Sequence, residues 1–338
     1  MQNIFVAHSP FHVFVSEMMV KDLEEFVNSK NVLLLEFNYD FDHFNAKLWT
    51  EVISIEYVGR STLGHKSYKK CENNLALVRK LVDEESDSSI FLSDISHPIN
   101  NRLFFSRQLR RKITFCLISD GLGTYVLPKI TRMLYLRGIV KQLNGILQRG
   151  VRYTKYSGSQ FGVDRKEVKY IYAPNVEFVD CDPAKKKEVF PVNMKIPQLD
   201  QSRCVLLDQP GWTLVNENDW YEIQLATVGF LKSLGVDLYY KNHPSGHKED
   251  EDFYKKQGFK IINDNRSAEE VVVEEKFGIV VSYVSSALFN LKSQHHNAIR
   301  CIALHDKLLS TRRTDYNDNR FNELYELFKK INIEVIDI

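Results

Sequence analysis

Met1-Gln2-Asn3-Ile4-Phe5-Val6-Ala7-His8-Ser9-Pro10-Phe11-His12 opens the chain and sets its architecture. The unbroken apolar run over 4–7 suits a strand covered on both faces. It ends at His8-Ser9-Pro10, and a helical pattern follows over 11–29. That unit recurs: apolar runs over 32–37, 52–57, 90–93, 113–119 and 169–173 read as further strands, with helical stretches such as 66–83 between them. Continuous apolar strands separated by helices predict an α/β fold with a parallel sheet.

The alternation pauses over 181–202, which holds three prolines, the run Lys185-Lys186-Lys187 and no sustained periodicity. This reads as an interdomain linker. Strands then resume at 204–207, 236–240, 260–262, 278–281 and 299–304, with a helix over 220–234. The expected organisation is a Rossmann-like domain over 1–180, a linker over 181–202 and a second Rossmann-like domain over 203–338. At 338 residues the chain suits two such domains. Two doubly wound halves facing a central cleft would take ligands at the carboxyl ends of their strands.

Composition narrows the class. Hydrophobic residues make up 43% and charged residues 26%, as in globular proteins. A net charge of +1 carries no polyanion signal, so nucleic acid is not an expected partner. No charged region, apolar stretch and cleavage site open the chain, and no run of about 18 apolar residues occurs, so neither a secretory signal nor a membrane span is expected. Five scattered cysteines, Cys71, Cys116, Cys181, Cys204 and Cys301, three of them in strand-like stretches, suit a reduced, cytoplasmic protein.

Charge is uneven locally. From Gly121 to Val163 there is no Asp or Glu, while Lys129, Arg132, Arg137, Lys141, Arg149, Arg152 and Lys155 accumulate. Leu136, Val140, Leu143 and Leu147 fall on one side of a helix. The basic stretch 129–155 can lie on an anionic membrane surface, making the protein peripheral on the inner membrane. It can also pack on its own domain, or on a second subunit in a homodimer, with a solvated basic face.

Four segments sit where strands end: His8-Ser9-Pro10-Phe11-His12, Ser119-Asp120-Gly121-Leu122-Gly123, Lys241-Asn242-His243-Pro244 and Tyr283-Val284-Ser285-Ser286-Ala287. Ser285 and Ser286 read as a helix start, which can bind a phosphate or be an ordinary cap. His243, fixed in a turn before Pro244, can donate a proton to a departing phosphate or have no chemical duty. Asp120 can take a proton from an attacking hydroxyl, or simply form the turn before Gly121.

Together these segments resemble bacterial sialyltransferases, above all glycosyltransferase family 52, the lipooligosaccharide and capsule sialyltransferases; the polysialyltransferases are similar in these motifs. Leu206-Leu207-Asp208-Gln209-Pro210 looks like the Gln-Pro turn that opens the family's nucleotide domain. The resemblance spans most of the chain in order, and the His-Pro and Ser-Ser pair is its most specific part. It implies a GT-B fold and inverting, metal-independent transfer of sialic acid from CMP-sialic acid. The acceptor would be a hydroxyl of a surface glycan (lipooligosaccharide, O-antigen or capsule), galactoside-terminated and lipid-linked, and no cofactor is implied. His243 would be the acid and Asp120 the base. Ser285 and Ser286 would hold the phosphate, with Gln209, Pro210, Lys241, Asn242, Pro244, Ser9 and Gly121 at the donor.

The chain departs from the family at one point. The family motif carries two carboxylates before the glycine, and here the first position is Ser119. If the base belongs there, Asp219 and Glu217 are the next candidates.

Other patterns compete. Asp40-Phe41-Asp42-His43 has the Asp-x-Asp form of a metal-dependent transferase, but such an enzyme would not need the second half with its own His-Pro and Ser-Ser ends. His295-His296 and His305-Asp306 lack the spacing of a closed zinc site and read as surface groups. The same architecture also suits a UDP-sugar transferase or epimerase, or a polyol-phosphate transferase. A non-catalytic nucleotide-sugar-binding protein of a polysaccharide assembly would fit Ser119 best.

Overall fold

The computed structural model describes residues 1–59, 64–83, 87–126, 129–147, 149–189, 198–209, 215–243, 246–264, 266–305 and 319–338. The chain divides into two compact units, 1–191 and 192–338. Each is built on one parallel sheet.

In the first unit β1 (Gln2–Ala7) is buried along its whole length, as its apolar run requires. It pairs with β2 (Lys30–Leu35) on one side and β4 (Ser88–Leu92) on the other, so that Ile4 lies opposite both Val32 and Ile90. β3 (Glu51–Ser54), β5 (Ile113–Ile118), β6 (Val168–Ala173) and β7 (Lys186–Glu188) complete the order β3-β2-β1-β4-β5-β6-β7. Phe5 stacks on Phe91 at 4.4 Å, and Phe26 and Tyr172 close the same core. The helix expected over 11–29 is two, α1 (Pro10–Asp22) and α2 (Glu24–Val27), parted by extended backbone at Leu23. The break puts Glu24 and Glu25 in a first turn, where the helix dipole favours them. α3 (His65–Asp83) buries Cys71, Leu75, Val78 and Val82 at helical spacing. α4 (Pro98–Phe104) and α5 (Arg132–Ile146) follow.

The second unit holds β8 (Asp200–Leu207), β9 (Asp237–Lys241), β10 (Lys260–Ile262), β11 (Phe277–Ser282), β12 (Arg300–His305) and β13 (Glu334–Asp337), in the order β10-β9-β8-β11-β12-β13. Its helices are α6 (Glu217–Ser233), α7 (Lys248–Lys256), α8 (Ala268–Glu274), α9 (Ser286–His295) and α10 (Asn319–Lys330). Leu206, Trp220, Tyr240, Tyr254 and Val281 centre the core, with Tyr240 stacked on Tyr254 at 4.5 Å.

The stretch expected as a linker is structured at both ends. β7 occupies 186–188 at the edge of the first sheet, and β8 begins at Asp200. Lys186-Lys187-Glu188 carries no apolar pattern because an edge strand is open to water on one side, where lysines also deter further pairing. The cysteines are free, and burial pushes the thiols of Cys71, Cys116, Cys204 and Cys301 up to about 12. No described helix is long and apolar enough to cross a membrane.

In each sheet the strand order reverses once, between β1 and β4 and between β8 and β11. Doubly wound sheets bind ligands outside the carboxyl ends of their strands at such a reversal.

Candidate active site

Polar residues gather in the first unit where β1, β2, β4 and β5 end. Ser9 caps α1, its hydroxyl oxygen accepting from the His12 N–H at 3.3 Å. His12 Nδ1 accepts from the backbone N–H of His8 at 3.2 Å. That bond leaves the proton of the neutral ring on Nε2, which donates to Asp120 Oδ1 at 2.7 Å. Asp120 follows β5, and its own N–H donates to Thr124 Oγ1 at 2.9 Å. The backbone then turns through Gly121 at φ 79°, which a side chain would strain. Asp120 keeps 27% of its side chain exposed, whereas Ser119 is fully buried with its oxygen accepting from the Gly121 N–H at 3.2 Å. Of the two positions of the motif, only the second reaches solvent.

Beside this pair is a cluster with no counterpart in the sequence reading. Glu36, fully buried after β2, lies 2.9 Å from His8 Nδ1 and 3.6 Å from His97 Nδ1. It also accepts from the Val58 N–H at 2.9 Å. The rings of His8 and His97 stack at 3.9 Å, and His8 Nε2 meets Asn100 Oδ1 at 2.9 Å. Burial alone would raise the Glu36 pKa and lower that of His8. The contact between them wins in both cases, holding the carboxyl below its ordinary value and His8 above its own. Asp94, after β4, fixes the turn into α4 by accepting from the Ser96 and His97 N–H groups. Among the described residues, His8, Glu36 and His97 form the one group of three whose ligand atoms, all within 4.8 Å, converge enough to hold a metal ion. Asp42 of the Asp-x-Asp pattern is 91% exposed, beside His43 at 3.6 Å.

In the second unit Asp208, after β8, accepts from the N–H of His243 at 3.4 Å. Burial foremost, and then the charge of Asp250, raise Asp208 to about 7, against the N–H groups of His243 and Gln209. Asp250 accepts from Trp220 Nε1 at 2.9 Å and Gln224 Nε2 at 2.7 Å. Burial, helped by Lys241, lowers His243 and so favours the neutral ring. Lys241 is itself buried, and its ammonium donates to the Asp264 carbonyl at 3.0 Å. Gly246 closes the turn by donating to the His243 carbonyl at 2.7 Å; a Cβ there would stand 2.0 Å from Asn242 Oδ1. Ser285 caps α9, its oxygen accepting from the Ala287 N–H at 3.2 Å, and Ser286 opens the helix.

The strand reversals bring Ser9, Asp120 and Gly121 together in one unit, and Gln209, Lys241, Asn242 and His243 in the other, where Ser285 and Ser286 follow β11. Pro210, Pro244 and Asp306 lie outside the described residues. Glu217 and Asp219 stand in the first turn of α6, where Asp219 accepts from the amide of Asn216, the N-cap, at 3.0 Å. His295, expected at the surface, is buried in the last turn of α9, and burial pushes it down to about 4. His305 pairs with Asp337 at 2.6 Å. Sequence reasoning gave His12 and Asp208 no role of their own, although both stand in segments it singled out, and it passed over Glu36, His97 and Asp250. For Glu36 and Asp208 a usable signal existed, a carboxylate at the carboxyl end of an apolar run.

The family model for alpha-2,8-polysialyltransferase matches residues 3–298. The chain belongs to the polysialyltransferase family. This polysialyltransferase-family protein is similar in structure to a sialyltransferase from Photobacterium damselae, residues 113–497, its GT-B domain. The TM-score is 0.57 and the identity 13%, with 99% of each chain covered. An alpha/beta-galactoside alpha-2,3-sialyltransferase from the luminous marine bacterium Photobacterium phosphoreum gives 0.54 and 11%, over 99% of this chain and 98% of that one. UDP-GlcNAc 2-epimerase from Methanocaldococcus jannaschii gives 0.52 and 13%, over 99% and 94%. No curated protein matches significantly. At these identities the structural likeness speaks for the GT-B fold, and the family match selects sialyltransferases among proteins sharing it. The family expected first was number 52; the one matched is the related group whose motifs it shares.

Proposed function

We propose that this polysialyltransferase-family protein moves sialic acid from CMP-sialic acid to a glycan hydroxyl, with inversion and without a metal ion. The observation that carries the reading is the Asp120–His12 pair. It is a carboxylate at the end of β5, fixed through one oxygen by the His that follows β1 and partly open to solvent. Asp120 takes the proton of the acceptor hydroxyl as that oxygen attacks the anomeric carbon from the face opposite the phosphate. The bond from the anomeric carbon to the phosphate oxygen breaks, and CMP departs with the electron pair. His243 donates to the leaving phosphate, and the first N–H groups of α9, with Ser285 and Ser286, receive its charge. A ring lowered by burial gains its proton more readily once a phosphate stands beside it.

The family name supports a sialic acid as accepting sugar, and a galactoside is the alternative. We place the reaction in the cytoplasm, on a lipid-linked surface glycan. Incubation with CMP-sialic acid and a panel of sialosides and galactosides, with mass detection, should yield a product one sialic acid heavier, unaffected by EDTA. Loss of turnover in EDTA restored by Mn²⁺ would refute metal independence. UDP binding as tight as CMP would move the protein to the UDP-sugar enzymes of this fold. CMP binding without turnover on any acceptor would make it a binding protein.

A further inference from the structure

We infer that α5 docks this protein on an anionic bilayer. Eight of the fourteen large apolar side chains that are exposed among the described residues fall within 133–147. Leu136 is 60% exposed, Val140 57%, Leu143 55% and Leu147 60%. A helix packed on its own domain would bury such a stripe, and α5 does the opposite. Its buried residues are Gly138 and Gly145, seven apart and so on one face. At Gly145 an added Cβ would come within 2.6 Å of the Arg152 Cα, so the glycine face lies hard against 151–155. At about 100° per residue the leucine and valine stripe stands opposite those glycines. Sequence periodicity had located the stripe; the structure shows that nothing within the described unit covers it.

Charge selects the occupant. No Asp or Glu occurs between Gly121 and Val163, while Arg132 and Arg137 are exposed on the helix and Arg149, Arg152 and Lys155 beside it. An apolar stripe flanked by uncompensated cations matches the acyl boundary and headgroups of an anionic leaflet. A second copy fits poorly, because a two-fold contact through this face would set the same arginines against one another. The inference stands on this surface and does not depend on the sialyl-transfer reading.

Co-sedimentation with vesicles tests it on the full chain. Vesicles containing phosphatidylglycerol should retain the protein at low salt and release it at high salt, and phosphatidylcholine vesicles should not retain it. Leu136→Asp with Leu143→Asp should cut retention at least about tenfold. Arg132→Gln and Arg137→Gln should each cut it roughly fivefold. All four side chains are exposed, so thermal unfolding should not change, and turnover on a soluble acceptor should be kept. No retention of the wild type, or equal retention of the aspartate variant, overturns the inference. So does a wild-type dimer that the aspartate variant splits, which would make the stripe a subunit contact.

Discussion

Asp208→Asn removes a carboxyl group that burial keeps protonated in mildly acidic solution and that ionises only around neutral pH. The folded pKa is about 7 against 3.8 for the free side chain, chiefly because burial penalises the charged form. The folded state therefore binds more protons than the unfolded state between those values. Its stability falls as pH rises through that window and levels off above about 7. A shift of about three pH units corresponds to about 4 kcal/mol, at 1.36 kcal/mol per unit. Asparagine has the same shape and can still accept from the His243 N–H, but it cannot ionise. Urea denaturation of both proteins at pH 4 and at pH 8 reads the effect. The variant should gain on the wild type by up to about 4 kcal/mol between the two, and CMP binding at pH 8 should be no weaker. A wild-type-minus-variant difference that is the same at both pH values would show that Asp208 is ionised throughout, and the account of this turn would fail.

Other substitutions separate the chemical roles. His243→Ala should lower kcat by roughly 10²–10⁴-fold while CMP binding, measured by calorimetry, weakens much less, because α9 would still hold the phosphate. Asp120→Asn should bind CMP normally and lose a comparable factor in turnover; near-normal turnover would move attention to Asp219→Asn and Glu217→Gln. Glu36→Gln breaks a buried ion pair, a change that typically costs about 3–5 kcal/mol. Its cost should be largest between about pH 4.5 and 6.5. Glu36, lowered in the folded state, contributes stability that is lost on acidification, and His8, raised, contributes stability that is lost as pH rises. Chemical denaturation across pH 4 to 9 checks the shape of that dependence.

The sequence alone determined the architecture, because a strand buried on both faces must be apolar throughout and the helices covering it must repeat at 3.6 residues. It also put short motifs, with Asp120, His243 and Ser285 among them, at the ends of those strands. Edge strands such as β7 escaped, since half-solvated backbone leaves no apolar signature. What only the tertiary structure decided is who meets whom. His12 and Asp120 are 108 residues apart and become partners because parallel pairing sets β1 beside β4 and β4 beside β5, which aligns their carboxyl ends. The same alignment turns His8, Glu36 and His97 into one charged cluster and sets Asp208 under the turn that carries His243. In α5 the periodic stripe was legible, but periodicity does not say which face is covered. Burial of Gly138 and Gly145, with close backbone approach at Gly145, assigned the glycines to the interior and left the leucines outside.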